Sequence, residues 1–433
     1  MKRRTSTIIP KKSIIPFIIV SLLFALWGFA NSITDPMVQA FKKVLELSNV
    51  EAAWVQMSFY GGYFSMAIPA ALFLRKYSYK KGILVGLGLY AIGAFLFYPA
   101  TIFQQFWFFC LGLYILTFGL AFLETTASPY ILSMGEKKTA IQRLNLAQFF
   151  NPMGLILGLL VAQNFILKNL KSDNIVDFSS LDEYNKTIIK TSDLIIIRDP
   201  YLILGFFVTL FFLIIFFYNM PDKKTKASSG LSTEIKRLFQ NKQYTRGVLA
   251  QVFYVGSQIM CWTYIYHYCE SIGINNSEAA NYQFIAFILF FSGRGVGTLF
   301  LNFVNSKTLM TLFSISSMIL TVGTVFVGGK AGLYFLIIIS FFLSIMFPTI
   351  YGVSLSKLNE NEKKIGAAGL VMAIVGGAIM PMLQGIIIDI GGVGLNDVKI
   401  CGISEINLSF ILPLICFSYI TYYSRTQITK KSL

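Results

Sequence analysis

Two carboxylates stand where a charge is costly. Glu124 is the single charged residue in the apolar stretch 105–134 (QFWFFCLGLYILTFGLAFLETTASPYILSM). Asp35, followed by Pro36, lies in the run that becomes apolar at Ile14 (IIPFIIVSLLFALWGFANSITDPMVQAF). Each run is long enough to cross a hydrocarbon core of ~30 Å, which takes ~20 helical residues. An ionised Asp near the centre of such a helix costs ~2.5–3.5 kcal/mol on insertion scales. A carboxylate kept there either pairs with a buried Arg or takes up and releases protons, and the two together read as parts of one proton-handling site. Amides supply a second kind of chemistry. In RLNLAQFFNPMGLILG (143–158), Asn145, Gln148 and Asn151 recur every three residues and fall near one helical face. In VLAQVFYVGSQIMCWTYIYHYCE (248–270), Gln251 and Gln258 are seven apart, with Trp262 a turn further. Amides inside an apolar helix need partners, and a polyol such as a sugar offers both donors and acceptors; neighbouring helices are the alternative. Trp262 either stacks on the C–H face of a sugar or packs. Gly154 and Gly158, at small-xxx-small spacing, mark close helix packing.

The elements holding these groups must be membrane helices. Of 433 residues 55% are apolar and 13% charged, with 41 Phe, whereas soluble domains carry ~25% charged residues. This is an all-α, multi-pass membrane protein by composition. Twelve spans are expected at roughly 14–40, 52–74, 82–100, 105–134, 144–167, 200–219, 246–269, 279–301, 308–328, 331–355, 366–389 and 405–423. Basic residues number five in the N-terminus, four in 75–81, three in 135–143 and seven in 222–246. The intervening connections are neutral or acidic, except a loop at 168–199 with five basic and six acidic residues. That alternation places both termini in the cytoplasm and explains the net charge of +16 without nucleic acid; a bacterial inner membrane is the expected location. The first apolar run exceeds a 7–15-residue signal-peptide core, so the basic start (Lys2, Arg3, Arg4) reads as an orientation signal.

The basic segment 221–245 divides the spans six and six: an N-terminal bundle 1–220, a linker with a short surface helix, and a C-terminal bundle 246–433. A repeat supports the division. ALFLRKYSYKKGIL (71–84) aligns with TLFLNFVNSKTLM (298–310) at an offset of 227, and Pro129 aligns with Pro348 at 219. The second alignment sets Leu343 opposite Glu124. Arg294, late in the eighth span, is expected to snorkel to the inner surface rather than pair with a carboxylate. His267 reads as an exposed or capping residue at the end of the seventh. The five cysteines form no disulfide framework and one histidine forms no metal site. No G-x-x-x-x-G-K-[ST] sequence exists, so neither cofactor nor built-in ATPase is expected. A polytopic transferase using Asp35 and Glu124 as acid and base is the rival class, though it lacks a visible metal or headgroup cluster.

WGFANSITDPMVQAFKK (27–43), FYGGYFSMAIPAALFLRKYSYKKGILVGLGLYAIGAFLFYPA (59–100), LAFLETTASPY (120–130), RLNLAQFFN (143–151), LAQVFYVGSQIMCW (249–262) and FPTIYGVSLSKL (347–358) resemble the L-fucose:proton symporter family of the major facilitator superfamily. The likeness spans nearly the whole chain. It implies the major facilitator fold, with twelve helices in two pseudo-symmetric six-helix bundles, and alternating-access uptake of a hexose with a proton; a monomer is expected. It assigns the protonation sites to Asp35 and Glu124, and the sugar contacts to Gln148 and Asn151. Asn31, next to Asp35, and Gln258 and Trp262 join the expected sugar site. Ser32 and Ser128 depart from the family's usual Asn, which is expected to alter sugar contacts. Relatives that carry glucose and galactose or N-acetylglucosamine leave the hexose open.

Overall fold

Twelve helices are long and apolar enough to cross a membrane: α1 Lys11–Thr34, α2 Trp54–Lys76, α3 Tyr79–Phe103, α4 Phe106–Ser133, α5 Lys137–Asn169, α6 Glu183–Phe217, α7 Lys242–Ser271, α8 Glu278–Phe300, α9 Ser306–Phe326, α10 Gly329–Leu355, α11 Glu360–Ile388 and α12 Glu405–Ile428. The structure, a computed structural model, describes residues 7–47, 49–174, 182–221, 230–391, 398–400 and 402–429. Within these, the side chains of 35–40, 42, 43, 49, 50, 52, 53, 173, 174, 276, 277, 391 and 429 lie outside the description. Short polar residues start the helices by accepting backbone N–H groups that have no helical partner. Asn241 accepts from Gln243 and Tyr244, Asn275 from Glu278, and Asn305 from Lys307. Asn359 and Glu362 form a reciprocal capping box before α11. Large apolar side chains such as Phe206, Phe217 and Phe326 point outward, as surfaces facing acyl chains do.

The helices pack in the same pairs in both halves. Helix α1 lies on α5, α2 on α4, and α3 on α4 and α6; likewise α7 lies on α11, α8 on α10, and α9 on α10 and α12. This pairing is the pseudo-symmetry that the short sequence repeat implied. Gly154 and Gly28 let α1 and α5 meet backbone to backbone. A Cβ on Gly154 would strike the Ala25 carbonyl oxygen, and one on Gly28 that of Asn151.

Two connections differ from expectation. Much of the 168–199 loop is helical, because α6 begins at Glu183, where the Asp182 side chain caps it. Buried Asp193 then accepts the backbone N–H groups of Lys171 (2.8 Å) and Ser172 (3.0 Å), stapling the preceding turn to this extension. Between α11 and α12 a two-residue hairpin pairs Lys399 with Ser404 and Ile400 with Ile403. The helix expected after the sixth span is present at Leu231–Gln240, with Glu234 and Leu238 buried and Phe239 exposed.

The halves meet most firmly at the end that carries the basic connections. There Lys364 Nζ donates to the Leu74 carbonyl (2.9 Å), and Gln142 Nε2 to Asn302 Oδ1 (2.7 Å). Asn145 Nδ2 reaches Thr349 Oγ1 (3.4 Å), and Arg75 pairs at 3.0 Å with Glu234 of the linker helix. Among the described residues, no side-chain hydrogen bond joins the halves near the opposite end. The molecule is therefore latched at its basic end.

Candidate functional site

Above that latch, a cleft lined by residues of both halves separates them. Asn31, Glu124, Gln148, Asn151, Gln258 and Trp262 all line it. Asp35 is on the same helix as Asn31, which continues to Val44, but its side chain lies outside the described residues. The cleft runs from Gln56 and Gln283 near the unlatched end to Phe347, Tyr254 and Arg294 at its floor.

Glu124 is 4% exposed on the unbroken helix Phe106–Ser133. Ser128 Oγ, one turn on, donates to its Oε1 at 2.8 Å. Ser128 is fully buried and outside the cleft lining, so this departure from the family pattern acts on the carboxylate rather than on a ligand. Ser32 does line the cleft. The repeat partner of α4 behaves differently: α10 breaks just after Leu343, the position aligned with Glu124.

The amides divide by use. Among the described residues the buried Gln148 side chain has no protein hydrogen-bond partner, which leaves it free for a ligand in the cleft it lines. Asn151 Nδ2 donates to the Phe24 carbonyl at 3.3 Å, so this side chain serves helix packing as well as the cleft. Trp262 Nε1 donates to Ser340 Oγ (3.2 Å), and its ring meets Phe287 and Phe290 edge-on at 4.9 and 5.0 Å. Its packing and cleft-lining roles thus coexist. Asn145 and Gln251 are buried beyond the cleft lining. His267, half-buried against Tyr264 at 5.0 Å, neither caps α7 nor reaches the cleft.

Arg294 corrects the snorkelling expectation. It is 2% exposed and sits at the cleft floor. Its Nε donates to the Ser344 carbonyl at 2.6 Å and its Nη1 to the Gln148 carbonyl at 2.9 Å. The reason lies in two prolines. Pro152 and Pro348 have no N–H to return to the residues four positions earlier, which are Gln148 and Ser344. Both α5 and α10 are interrupted there, between Ala147 and Phe150 and between Leu343 and Met346. Backbone carbonyls that lose a helical partner at membrane depth must be satisfied by protein; the Gln148 carbonyl takes the Asn151 N–H at 3.1 Å, and one guanidinium fork donates to both it and Ser344, from facing halves. Its charge is also within electrostatic reach of Glu124. The face of the Phe290 ring lies 4.7 Å from it.

Sequence reasoning also missed an aromatic wall. Phe24 and Trp27 stack with centroids 5.5 Å apart, and Trp27 Nε1 donates to the Tyr63 hydroxyl. Nothing in the pattern distinguishes these rings from the many that face lipid. Together the cleft offers amide donors and acceptors, flat apolar rings and one carboxylate able to be neutral or charged. This suits a neutral polyol with a proton. Among the described residues no three His, Cys, Asp or Glu side chains group as metal ligands.

Residues 20–381 match the model of the Major Facilitator Superfamily. An L-fucose-proton symporter of Haemophilus influenzae is 52% identical, over 96% of this chain and 97% of that one. One of Escherichia coli is 34% identical, over 95% and 93%. The crystal structure of a Major Facilitator Superfamily transporter, FucP, in the outward conformation superimposes with a TM-score of 0.85 at 33% identity, over 96% of this chain and 99% of that one.

Proposed function

Because the chain belongs to the major facilitator superfamily, we propose that it imports a hexose, L-fucose foremost, together with a proton by alternating access. The observation that carries the proposal is the company Glu124 keeps: a buried carboxylate sharing one cleft with Gln148, Asn151 and Gln258. L-fucose follows from the two relatives named as its symporters, of which one is 52% identical over nearly the full length. The basic end is cytoplasmic on the charge alternation of the connections, and the relatives in Haemophilus influenzae and Escherichia coli support a bacterial inner membrane. The latched basic end and the likeness to an outward-conformation structure support an outward-facing state. One chain holds the whole cleft between its own halves, so a monomer suffices.

In this reading the sugar enters from the periplasm and exchanges hydrogen bonds with water for those of the amides. A carboxylate removed from water favours its neutral form. A proton on Glu124, with Asp35 as the second acceptor, therefore removes the charge that opposes closing the cleft. Opening at the other end rehydrates the carboxylate and frees proton and sugar. One proton crossing 100 mV supplies ~2.3 kcal/mol, and each unit of pH difference adds ~1.36 kcal/mol. Proteoliposomes holding the purified protein should concentrate radiolabelled L-fucose when the outside is acidified, and a protonophore should abolish this. Competition by glucose, galactose and N-acetylglucosamine ranks the hexoses. If the sugar is chemically altered, or never rises above equilibration under a proton gradient, the proposal fails.

A further inference from the structure

Two amides of the polar–aromatic helix α7 lie outside the cleft lining: Gln243, whose Nε2 donates to the Val353 carbonyl at 2.6 Å, and Gln251. Tyr254, Val255, Gln258 and Trp262 all line the cleft. Steps of three, four and seven residues place Gln251 on that same face, one turn nearer the basic end. It is 0% exposed, and among the described residues neither its Nε2 nor its Oε1 has a partner. Its level in the fold is fixed by its neighbours. One turn above, Tyr254 meets Phe347 of α10 with ring centroids 5.9 Å apart. One turn below, Gly247 faces Ser354 of α10. Gln251 thus lies directly beneath the cleft floor, inside the latch.

The facing half repeats the arrangement. Asn145, one turn toward the basic end from Gln148, is fully buried with Oδ1 unpartnered. Its Nδ2 donates to the Ile141 carbonyl at 3.0 Å and crosses between halves to Thr349 Oγ1 at 3.4 Å. An amide buried with no partner is destabilising, and such groups are rare in folded proteins. If this region only sealed the basic end, Leu or Met would fill the space without that penalty. Alternating access requires the bonds from Gln142 to Asn302, Asn145 to Thr349 and Lys364 to Leu74 to break. Opening there uncovers the α7 face at Gln251 and the α5 face at Asn145 together.

We propose that Gln251 and Asn145 form a second sugar-binding point, an exit subsite that exists only when the basic end is open. Its ligand is a polyol whose hydroxyls both donate to and accept from the two amides. A sugar leaving the main cleft passes from the amide level of Gln148 and Gln258 to this one, a turn deeper, before reaching the cytoplasm. The inference rests on the transport reading above, and the experiment separates the two. Radiolabelled L-fucose flux is measured in right-side-out and inside-out membrane vesicles, which gives a half-saturation concentration for each face. Gln251→Met keeps the side-chain length and removes the polarity. It should leave the periplasmic-face value within about twofold and raise the cytoplasmic-face value about five- to tenfold, the loss of one hydrogen-bonding partner. Gln251→Asn, which keeps an amide, should fall between Met and wild type, and carries the test if the Met variant does not reach the membrane. Equal shifts at the two faces, or no shift at either, overturn the exit subsite. Wild-type vesicles without fucose flux in either direction overturn the transport reading instead.

Discussion

Glu124→Gln removes the site's capacity to carry a proton and little else. Gln has the same length, and its Oε1 can still accept the 2.8 Å bond from Ser128 Oγ. The protein should therefore fold, reach the membrane and bind sugar. A single proton crossing 100 mV is worth ~2.3 kcal/mol, which at ~1.4 kcal/mol per tenfold sustains a sugar gradient of about 50-fold. The variant should lose that entire gradient and bring the sugar only to equal concentrations. Exchange of internal for external sugar needs no net proton movement, so counterflow should persist. Glu124→Ala should do worse, since it also strands the buried Ser128 hydroxyl at a cost of ~1–3 kcal/mol. Asp35→Asn should likewise lose accumulation, with sugar binding also weakened through its neighbour Asn31. The assay is radiolabelled L-fucose uptake and counterflow in proteoliposomes under an imposed potential. If Glu124→Gln still concentrates fucose about 50-fold, the carboxylate is structural and the reasoning is refuted.

Gln148→Ala should weaken sugar binding by ~1–3 kcal/mol with unchanged thermal stability, because its side chain has no protein partner among the described residues. Asn151→Ala should weaken binding and also lower the melting temperature, since it releases the Phe24 carbonyl; calorimetry of both in detergent distinguishes the two roles. Arg294→Met removes two charge-assisted bonds, each worth ~1.5–3 kcal/mol, and leaves the Gln148 carbonyl with only the Asn151 N–H. Its melting temperature should drop sharply, and Lys should restore little because a point donor cannot span both carbonyls; an unchanged melting temperature contradicts this bridging role of Arg294. Single cysteines at Ser180 and Ser228 in a Cys-free background report orientation. An impermeant thiol reagent on intact cells should label position 180 and spare 228, and the reverse would invert the topology.

The spans and the polar side of the cleft were legible because membrane helices write themselves in long apolar runs, against which an isolated Glu124, Gln148 or Gln258 stands out. What pairs with what was not. Arg294 lies late in its span, where snorkelling is the natural reading, yet its partners are carbonyls on α5 and α10. Pro152 and Pro348 are plain in the sequence, but only the packing shows that one guanidinium serves the carbonyls both leave behind. The charged start of α6 was missed for the opposite reason. Residues 183–199 carry too little hydrophobicity to register as a span, and their helix depends on the Asp182 cap and on Asp193 binding the preceding turn. Ser128 could be noticed from its departure from the family pattern, whereas its action on Glu124 rather than on sugar needed the distance.

Proton coupling through this cleft is the central claim, and one recording addresses it most directly. L-fucose is added to lightly buffered proteoliposomes holding the wild-type protein, with no gradient imposed, while a pH electrode follows the outside and radiolabel follows the sugar. The external solution should turn alkaline as fucose enters, with one proton removed per sugar, and no change should follow an equal addition to Glu124→Gln vesicles. Fucose entry into wild-type vesicles with a flat pH trace would make the protein a uniporter and contradict the account.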